Sequence, residues 1–226
     1  MSRKINPISF RLGLSQAWNG LFQIYGKNLY FYGNFISSKL IVENYIKQLL
    51  MSKNLILDST YWFMCEKKII LLVTYKNLSA YHLLNSFNLK KIIRWLLSLE
   101  VKLYLLKKTE WINSAALLTN YTTWSLRKDS NFKRTLSRVT VLLNACLHTK
   151  KIVYNNQGII VLKLKGFKFK ISGRLDNARN QMSKSSIHIG GALPLSKLNS
   201  YIEYHSVNIY TKSGVNNLRI WLFYSL

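Results

Sequence analysis

The sequence predicts an α+β protein with an N-terminal and a C-terminal folded domain. Its 226 residues are enough for two domains, and 49% of them are hydrophobic, so each domain can bury a core. In the first half of the chain, apolar residues recur every three or four positions, as on the buried side of a helix. Near the C-terminus apolar and basic residues alternate strictly, which indicates half-buried strands.

The first half of the chain predicts an arm followed by a domain of helices and strands. Residues 1–33 contain Pro7 and four glycines without a clear period, which favours an extended arm. Ser37 or Ser38 can cap a helix whose apolar residues continue through Leu50. The further elements expected across 34–108 are, in order, strands at 55–65 and 68–75, a loop at 76–88, a helix at 89–99 and a strand at 102–106.

Residues 109–226 predict two helices followed by an antiparallel sheet. The polar break at 128–131 separates the helices, and Ser130 or Asn131 can cap the second one. The apolar face of this second helix is predicted to consist of Leu136, Val139, Leu143 and Cys146. Lys133, Arg134 and Arg138 lie elsewhere on the same helix, and no acidic residue is within four positions of either arginine.

Alternation defines the strands of the C-terminal sheet and their two faces. The residues expected to face the core are Phe167, Phe169, Ile171, Leu218, Ile220 and Leu222, with Lys168, Lys170 and Arg219 on the other face. At Gly166 the alternation shifts by one residue, which predicts a bulge or a strand break. From Gly173 we expect a loop carrying Arg174, Arg179 and Lys184 among polar residues, a composition suited to phosphate and ribose contacts.

The charge balance points to a polyanionic partner. The chain has 33 Lys and Arg against 8 Asp and Glu, a formal net charge of +25. Such an excess is self-repulsive in a compact protein unless an anion neutralises it, and nucleic acid is the densest biological polyanion. An anionic membrane surface is the alternative. The longest uncharged run, 111–126, has sixteen residues and includes Asn113, Ser114, Thr119, Asn120, Thr122 and Thr123, so it is too short and too polar for a membrane span.

The sequence predicts no enzyme, cofactor or metal site. Cys65 and Cys146 lie far apart in apolar surroundings, as expected of free thiols in a reducing compartment. No Cys and His residues have the spacing of zinc ligands. The eight acids are scattered, and neither a phosphate-binding glycine loop nor a nucleophile motif is present.

Several short motifs resemble one known family. Ser172-Gly-Arg-Leu175 ends a strand, Pro194-Leu195 follows a basic segment, and a Thr-x-x-Gly turn leads to Arg219-Ile-Trp221. With the start through Arg11-Leu-Gly13, these residues resemble the universal family of small-subunit ribosomal protein three, in a mitochondrial type. The resemblance implies a helix beginning at Pro194-Leu195.

The resemblance also implies that the fold is a KH-like (type II) N-terminal domain, followed by a domain built from a helix pair and an antiparallel sheet. The expected boundaries are an arm at 1–33, the KH-like domain at 34–108 and the C-terminal domain at 109–226. KH domains hold RNA with a Gly-x-x-Gly loop. Here the corresponding residues are His82-Leu-Leu-Asn85, so we expect a KH-shaped domain without that clamp and with a structural or protein-facing role.

By this resemblance the protein is a structural constituent of the small-subunit head. It would contact small-subunit rRNA and neighbouring ribosomal proteins, and would line the channel through which mRNA enters. The segment Phe132-Lys133-Arg134-Thr-Leu-Ser137-Arg138 keeps three of the four basic positions of the family's channel-lining run. The predicted RNA-binding residues are Arg11, Lys133, Arg134, Arg138, Lys168, Lys170, Arg174, Arg179, Lys184 and Arg219.

Two expectations concern the setting of this function. The residue usage is typical of an AT-rich genome, and the family-like start at Met1 leaves no room for a targeting segment, which favours a protein made and used in the mitochondrial matrix. The alternative function is an organellar RNA-processing or maturase-like protein, which would need acidic metal ligands.

Overall fold

The computed structural model describes residues 5–17, 29–64, 68–77, 86–97, 100–108, 114–128, 132–155, 158–175, 182–211 and 214–225. The chain divides into two compact units. One comprises Asn19–Glu110, and the other joins Met1–Trp18 to Trp111–Leu226. The N-terminal residues therefore belong to the same unit as the C-terminal half of the chain.

The unit Asn19–Glu110 packs two helices on one face of a three-stranded sheet. Its elements are α1 (Leu29–Ser52), β1 (Leu55–Met64), β2 (Lys68–Asn77), α2 (Ser86–Leu97) and β3 (Glu100–Lys107). β2 lies in the centre, antiparallel to β1 and parallel to β3. The order of helices and strands is the predicted one. The residues of the predicted loop, His82–Asn85, lie outside the described residues, as does Cys65.

The predicted start of the first helix was wrong. α1 begins at Leu29, within the predicted arm 1–33, so Ser37 and Ser38 are interior residues instead of caps. Each serine hydroxyl donates to the Asn34 carbonyl at 2.8 Å, a hydrogen bond to the preceding turn that allows serine inside a helix. The buried side of α1 is formed by Phe35, Val42, Ile46 and Leu50, while the predicted apolar positions Leu40 and Ile41 are exposed.

The other unit packs two helices on one face of a five-stranded sheet. Its elements are α3 (Ala115–Lys128), α4 (Phe132–Ala145), β4 (Lys150–Asn155), β5 (Gly158–Gly173), β6 (Lys184–Gly191), β7 (Tyr201–Thr211) and β8 (Gly214–Ser225). The strand order is β4-β5-β8-β7, and β6 pairs with the second half of β5. All strand pairs in this sheet are antiparallel, as predicted.

The alternation predicted for β5 and β8 is confirmed. Phe167, Phe169 and Ile171 are buried with the apolar side chains of α4, while Lys168 and Lys170 lie on the opposite face. The phase shift at Gly166 is a bulge: the pairing of β5 with β8 slips by one residue between Leu164 and Gly166. β5 therefore continues through the shift as a single strand, and both of its halves contribute to the core.

Two predictions about the stretch after Gly173 were wrong. Lys184–Gly191 is strand β6, where a loop was predicted. β6 approaches β5 closely, since a Cβ at Gly190 would lie 2.5 Å from the Phe167 ring and one at Gly166 would lie 2.0 Å from the Ala192 carbonyl oxygen. Glycine is needed there for lack of space. The helix implied at Pro194-Leu195 is absent from the described structure, where these residues lie in a non-helical segment before β7.

α3 is buried although half of its residues are polar. Thr119, Thr122 and Thr123 are at most 7% exposed. Their hydroxyls donate to carbonyls three residues earlier at 2.8–2.9 Å, so burial leaves no unmet hydrogen bond on them. At the start of α3, Ser114 Oγ accepts from the Leu117 amide, and Glu203 Oε2 from β7 accepts from the Ala115 amide. In the described part of the chain, no helix is long and apolar enough to cross a membrane.

Arg11, a predicted RNA contact, is instead a buried structural residue. Its side chain is fully buried and donates to the carbonyls of Pro7, Pro194, Leu195 and Lys197 and to Ser200 Oγ. Burial lowers the pKa of this guanidinium from its ordinary value, although an arginine remains charged at neutral pH. Its donors thus attach the N-terminal arm to the segment before β7.

We expect Ile171→Ala to lower the free energy of unfolding of this unit by about 2–5 kcal/mol, because it leaves a cavity in the core. Ile152→Ala is the matched control, since the two isoleucines are 1% and 71% exposed in the same sheet. The control should change stability by less than about 0.5 kcal/mol. Urea unfolding measures both, and equal losses would contradict the described strand register.

We expect Arg11→Met to destabilise the same unit by at least about 2 kcal/mol, because each buried carbonyl left without a donor costs about 1–3 kcal/mol. RNA affinity, measured where the variant is still folded, should be unchanged. Arg219→Met should behave in the opposite way, with near-normal stability and weaker RNA binding, because Arg219 is exposed. A loss of RNA affinity in folded Arg11→Met would show that Arg11 contributes to RNA binding after all.

Candidate nucleic-acid interface

α4 separates an apolar face from a cationic one. Its buried residues are Phe132, Thr135, Leu136, Val139 and Leu143. Lys133, Arg134 and Arg138, here called the α4 cationic patch, are all exposed. Because the buried residues recur at three and four, the helix can present this patch to solvent while its other side stays in the core. The predicted caps Ser130 and Asn131 lie outside the described residues.

The end of α3 adds two cations that the sequence analysis missed. Arg127 and Lys128 are exposed in its last turn, and only residues 129–131 separate them from α4. The Lys128 Nζ lies 5.4 Å from the centroid of the Trp124 ring, and Trp124 stacks against Tyr121 at 6.4 Å. Cations at a helix C-terminus are common because they complement the helix dipole, so the sequence alone did not single them out.

A second cationic surface lies on the side of the five-stranded sheet turned away from α3 and α4. Strand pairing aligns its residues in three rows, which together we call the outer sheet face. The rows are Ile189, Lys168, Trp221 and Tyr204; Ile187, Lys170, Arg219 and Ser206; and Ser185, Ser172, Asn217 and Asn208. Three of the predicted RNA-binding residues are therefore neighbours on adjacent strands.

The aromatic residues of the outer sheet face were not predicted as part of a site. Tyr204 and Trp221 lie side by side with their ring centroids 5.2 Å apart, and the Lys168 Nζ is 5.5 Å from the Trp221 centroid. The sequence did contain a signal, because the alternation that turns Arg219 outward also turns Trp221 outward. That Tyr204 is its neighbour depends on the register between β7 and β8.

Two other predicted contacts lie together at one end of this sheet. Arg174 follows β5 directly and is half-buried, and Lys184 is the exposed first residue of β6. Lys184 pairs with Gly173, so the pairing of β5 with β6 brings the two cations close together. Arg179 lies outside the described residues. Arg11 is apart from all of these surfaces, in the interior.

Glu203 is the residue before Tyr204 in the sequence, but its side chain points away from the outer sheet face. Glu203 lies on the helix side of β7, where its Oε1 pairs with the Lys151 Nζ at 2.5 Å and its Oε2 holds the start of α3. All twelve positions of the outer sheet face are described, and none is acidic. Across the described ranges no three His, Cys, Asp or Glu residues are grouped as metal ligands.

Comparison with known proteins gives one consistent result. No family model matches the chain. Small ribosomal subunit protein uS3m of Chondrus crispus is 31% identical over 228 residues, covering 100% of this chain and 95% of that protein. Small ribosomal subunit protein uS3 of Pelagibacter ubique is 24% identical, covering 99% and 90%. Small ribosomal subunit protein uS3c of Euglena longa is also 24% identical, covering 98% and 99%. The similarity therefore extends over both units of the chain.

Proposed function

The chain belongs to the family of small ribosomal subunit protein uS3, in its mitochondrial type, and we propose that it is a structural constituent of the small-subunit head in the mitochondrial matrix. There it binds small-subunit rRNA and neighbouring head proteins and lines the channel through which mRNA enters. It contributes surface and charge, and carries out no covalent chemistry. The mitochondrial assignment is supported by the relative named uS3m, while the relative named uS3c is of another organellar type.

The α4 cationic patch is the observation that carries the mRNA part of this proposal. Three cations project from one helix whose other side is buried in the core, so the helix holds their backbone positions together before RNA arrives. Fixed cations hold a single strand by its phosphates without reading its sequence, as a channel for any mRNA requires. Arg127 and Lys128 lengthen the patch along the end of α3.

The rRNA anchor is assigned to the sheet of the same unit. Lys168, Lys170 and Arg219 lie on its outer face, with Arg174 and Lys184 at one end. These cations are on different elements from the α4 cationic patch. Attachment to rRNA and contact with mRNA can therefore be changed separately by substitution.

The N-terminal unit is proposed to be a KH-like domain that faces protein, with its predicted start at 34 moved back to Leu29, where α1 begins. Its order of helices and strands supports the first part of this proposal. The second part rests on the sequence His82–Asn85, which lacks the glycines of an RNA clamp, and on the sheet side opposite the helices. That side exposes Tyr61, Phe63, Tyr104 and Leu106, each about half accessible, as is common where another protein docks.

Sedimentation of the native protein tests the ribosomal assignment. We expect it to migrate with small-subunit rRNA at moderate salt and to lose that association after RNase treatment. Migration with a separate RNA particle lacking small-subunit rRNA would favour an RNA-processing or maturase-like protein. Pelleting with membranes after RNase treatment would favour a membrane-surface scaffold. Either result would overturn the proposal.

Replacing Lys133, Arg134 and Arg138 together by Ala should leave the protein folded and assembled, because these side chains are exposed and the sheet cations remain. Binding of mRNA that extends beyond the subunit on the side where it enters should weaken. The plot of log affinity against log salt should flatten by about 0.7 per lost phosphate contact, or by about 2 at most. Filter binding to assembled subunits over a range of salt concentrations measures both effects.

The matched control keeps the positive charges but replaces the guanidinium groups with ammonium groups. Arg134→Lys with Arg138→Lys should preserve the salt slope, since phosphate contacts need charge more than a guanidinium fork. Cross-linking supplies an independent check. If these side chains cross-link only to rRNA or protein, with mRNA present and bound, the role in the mRNA channel is excluded.

A further inference from the structure

The outer sheet face contains a pair of neighbouring aromatic side chains on two paired strands. Trp221 lies on β8, a central strand, and Tyr204 lies beside it on β7 with the ring planes inclined by 38°. Both side chains are half-buried, so their positions are set by the sheet before any ligand binds. Aromatic rings fixed on a sheet are a common platform for unpaired nucleic acid bases, because every base has a flat apolar face that can stack on them.

Next to this aromatic pair lies a polar network with hydrogen-bonding capacity to spare. Asn217 Nδ2 donates to Asn208 Oδ1 at 2.7 Å, and Arg219 Nε donates to Asn217 Oδ1 at 2.6 Å. These bonds orient the guanidinium, whose two η nitrogens make no hydrogen bond among the described residues. An amide and a guanidinium held side by side by a hydrogen bond can meet the edge of a base or a phosphate.

The charge of the outer sheet face matches an anionic ligand. Three of its twelve positions are cations and none is acidic, and Glu203 of β7 points to the helix side. Lys168 now lies against the Trp221 ring. A base can replace the Lys168 ammonium over the Trp221 ring. The flexible Lys168 side chain then moves its ammonium to the phosphate of the same nucleotide.

We propose that the outer sheet face binds an unpaired stretch of RNA, with one base stacked on the Trp221–Tyr204 pair, base or sugar edges on Asn217, Asn208 and Arg219, and phosphates on Lys168 and Lys170. This inference rests on the proposed rRNA-binding function and deepens it, because it makes the ligand of this face single-stranded. A duplex hides its bases in the stack and cannot use the aromatic pair. The site is separate from the α4 cationic patch, which needs phosphates only.

The test compares tryptophan variants of the full chain in binding a short unstructured RNA and an RNA duplex, by fluorescence anisotropy. Trp221→Leu should weaken binding of the single strand about tenfold, equivalent to about 1.4 kcal/mol. The salt dependence should stay the same, because no charge is lost. Affinity for the duplex should also be unchanged. Trp221→Phe, which keeps an aromatic ring and the fold, should restore most of the affinity for the single strand.

Trp95→Leu is the matched control, since Trp95 is 82% exposed on α2, which belongs to the unit Asn19–Glu110 and contributes nothing to this sheet. It should bind both RNAs as the unchanged protein does. Equal effects of Trp221→Leu and Trp95→Leu, or equal losses for single strand and duplex, would overturn the proposal. An unchanged RNA affinity for Trp221→Leu would also overturn it, and would leave this face to a protein neighbour.

A second readout does not depend on the folding of any variant. An unstructured RNA containing 4-thiouridine, irradiated with the unchanged protein, should cross-link to Trp221 or Tyr204. Cross-links confined to α3 and α4 would overturn the proposal. The result is also independent of the sedimentation experiment. The protein could fail to migrate with small-subunit rRNA and still stack a base on Trp221, or migrate with it and leave Trp221 uncontacted.

Discussion

The alternation of side chains along β5 is the constraint on which the C-terminal unit depends. β5 pairs with β4, β6 and β8, so its register fixes where three other strands place their side chains. Phe167, Phe169 and Ile171 must enter the core beneath α4, and the lysines between them must therefore lie outside. The same backbone geometry that provides a hydrophobic core also produces a cationic surface, so stability and the proposed RNA binding depend on adjacent residues in one strand.

Features determined by local periodicity were predictable from the sequence. The two faces of α4 and of β5, the bulge at Gly166 and the order of elements before β3 all follow from residues that are close in the chain. β6 was not predictable in this way. Its pairing depends on two glycines that leave room for Phe167 and Ala192, and a glycine in a polar stretch equally suggests a loop. The start of α1 was misplaced because serine occurs both at helix caps and inside helices, where its hydroxyl can bond to the preceding turn.

Only those parts of the candidate sites that depend on charge and on the alternation of side chains could be predicted from the sequence. Exposed cations on α4 and on the sheet were recognised from pattern and from family resemblance. Arg11 has the same charge, yet most of its hydrogen-bond acceptors lie more than 180 positions along the chain, so nothing near it in sequence indicates burial. For the same reason the Tyr204–Trp221 pair could not be foreseen, since it forms only when the register of β7 on β8 is set.

The attachment of Arg11 has a consequence for the order in which the chain folds during its own synthesis. The acceptors at Pro194, Leu195, Lys197 and Ser200 are translated long after Arg11, whereas Asn19–Glu110 holds every strand of its sheet within one continuous segment. Domains generally fold as units while the chain emerges. The unit Asn19–Glu110 can therefore complete its core first, while Arg11 stays unattached until the chain has been translated through Ser200. Arg11 is made before that unit and reaches its final position after it.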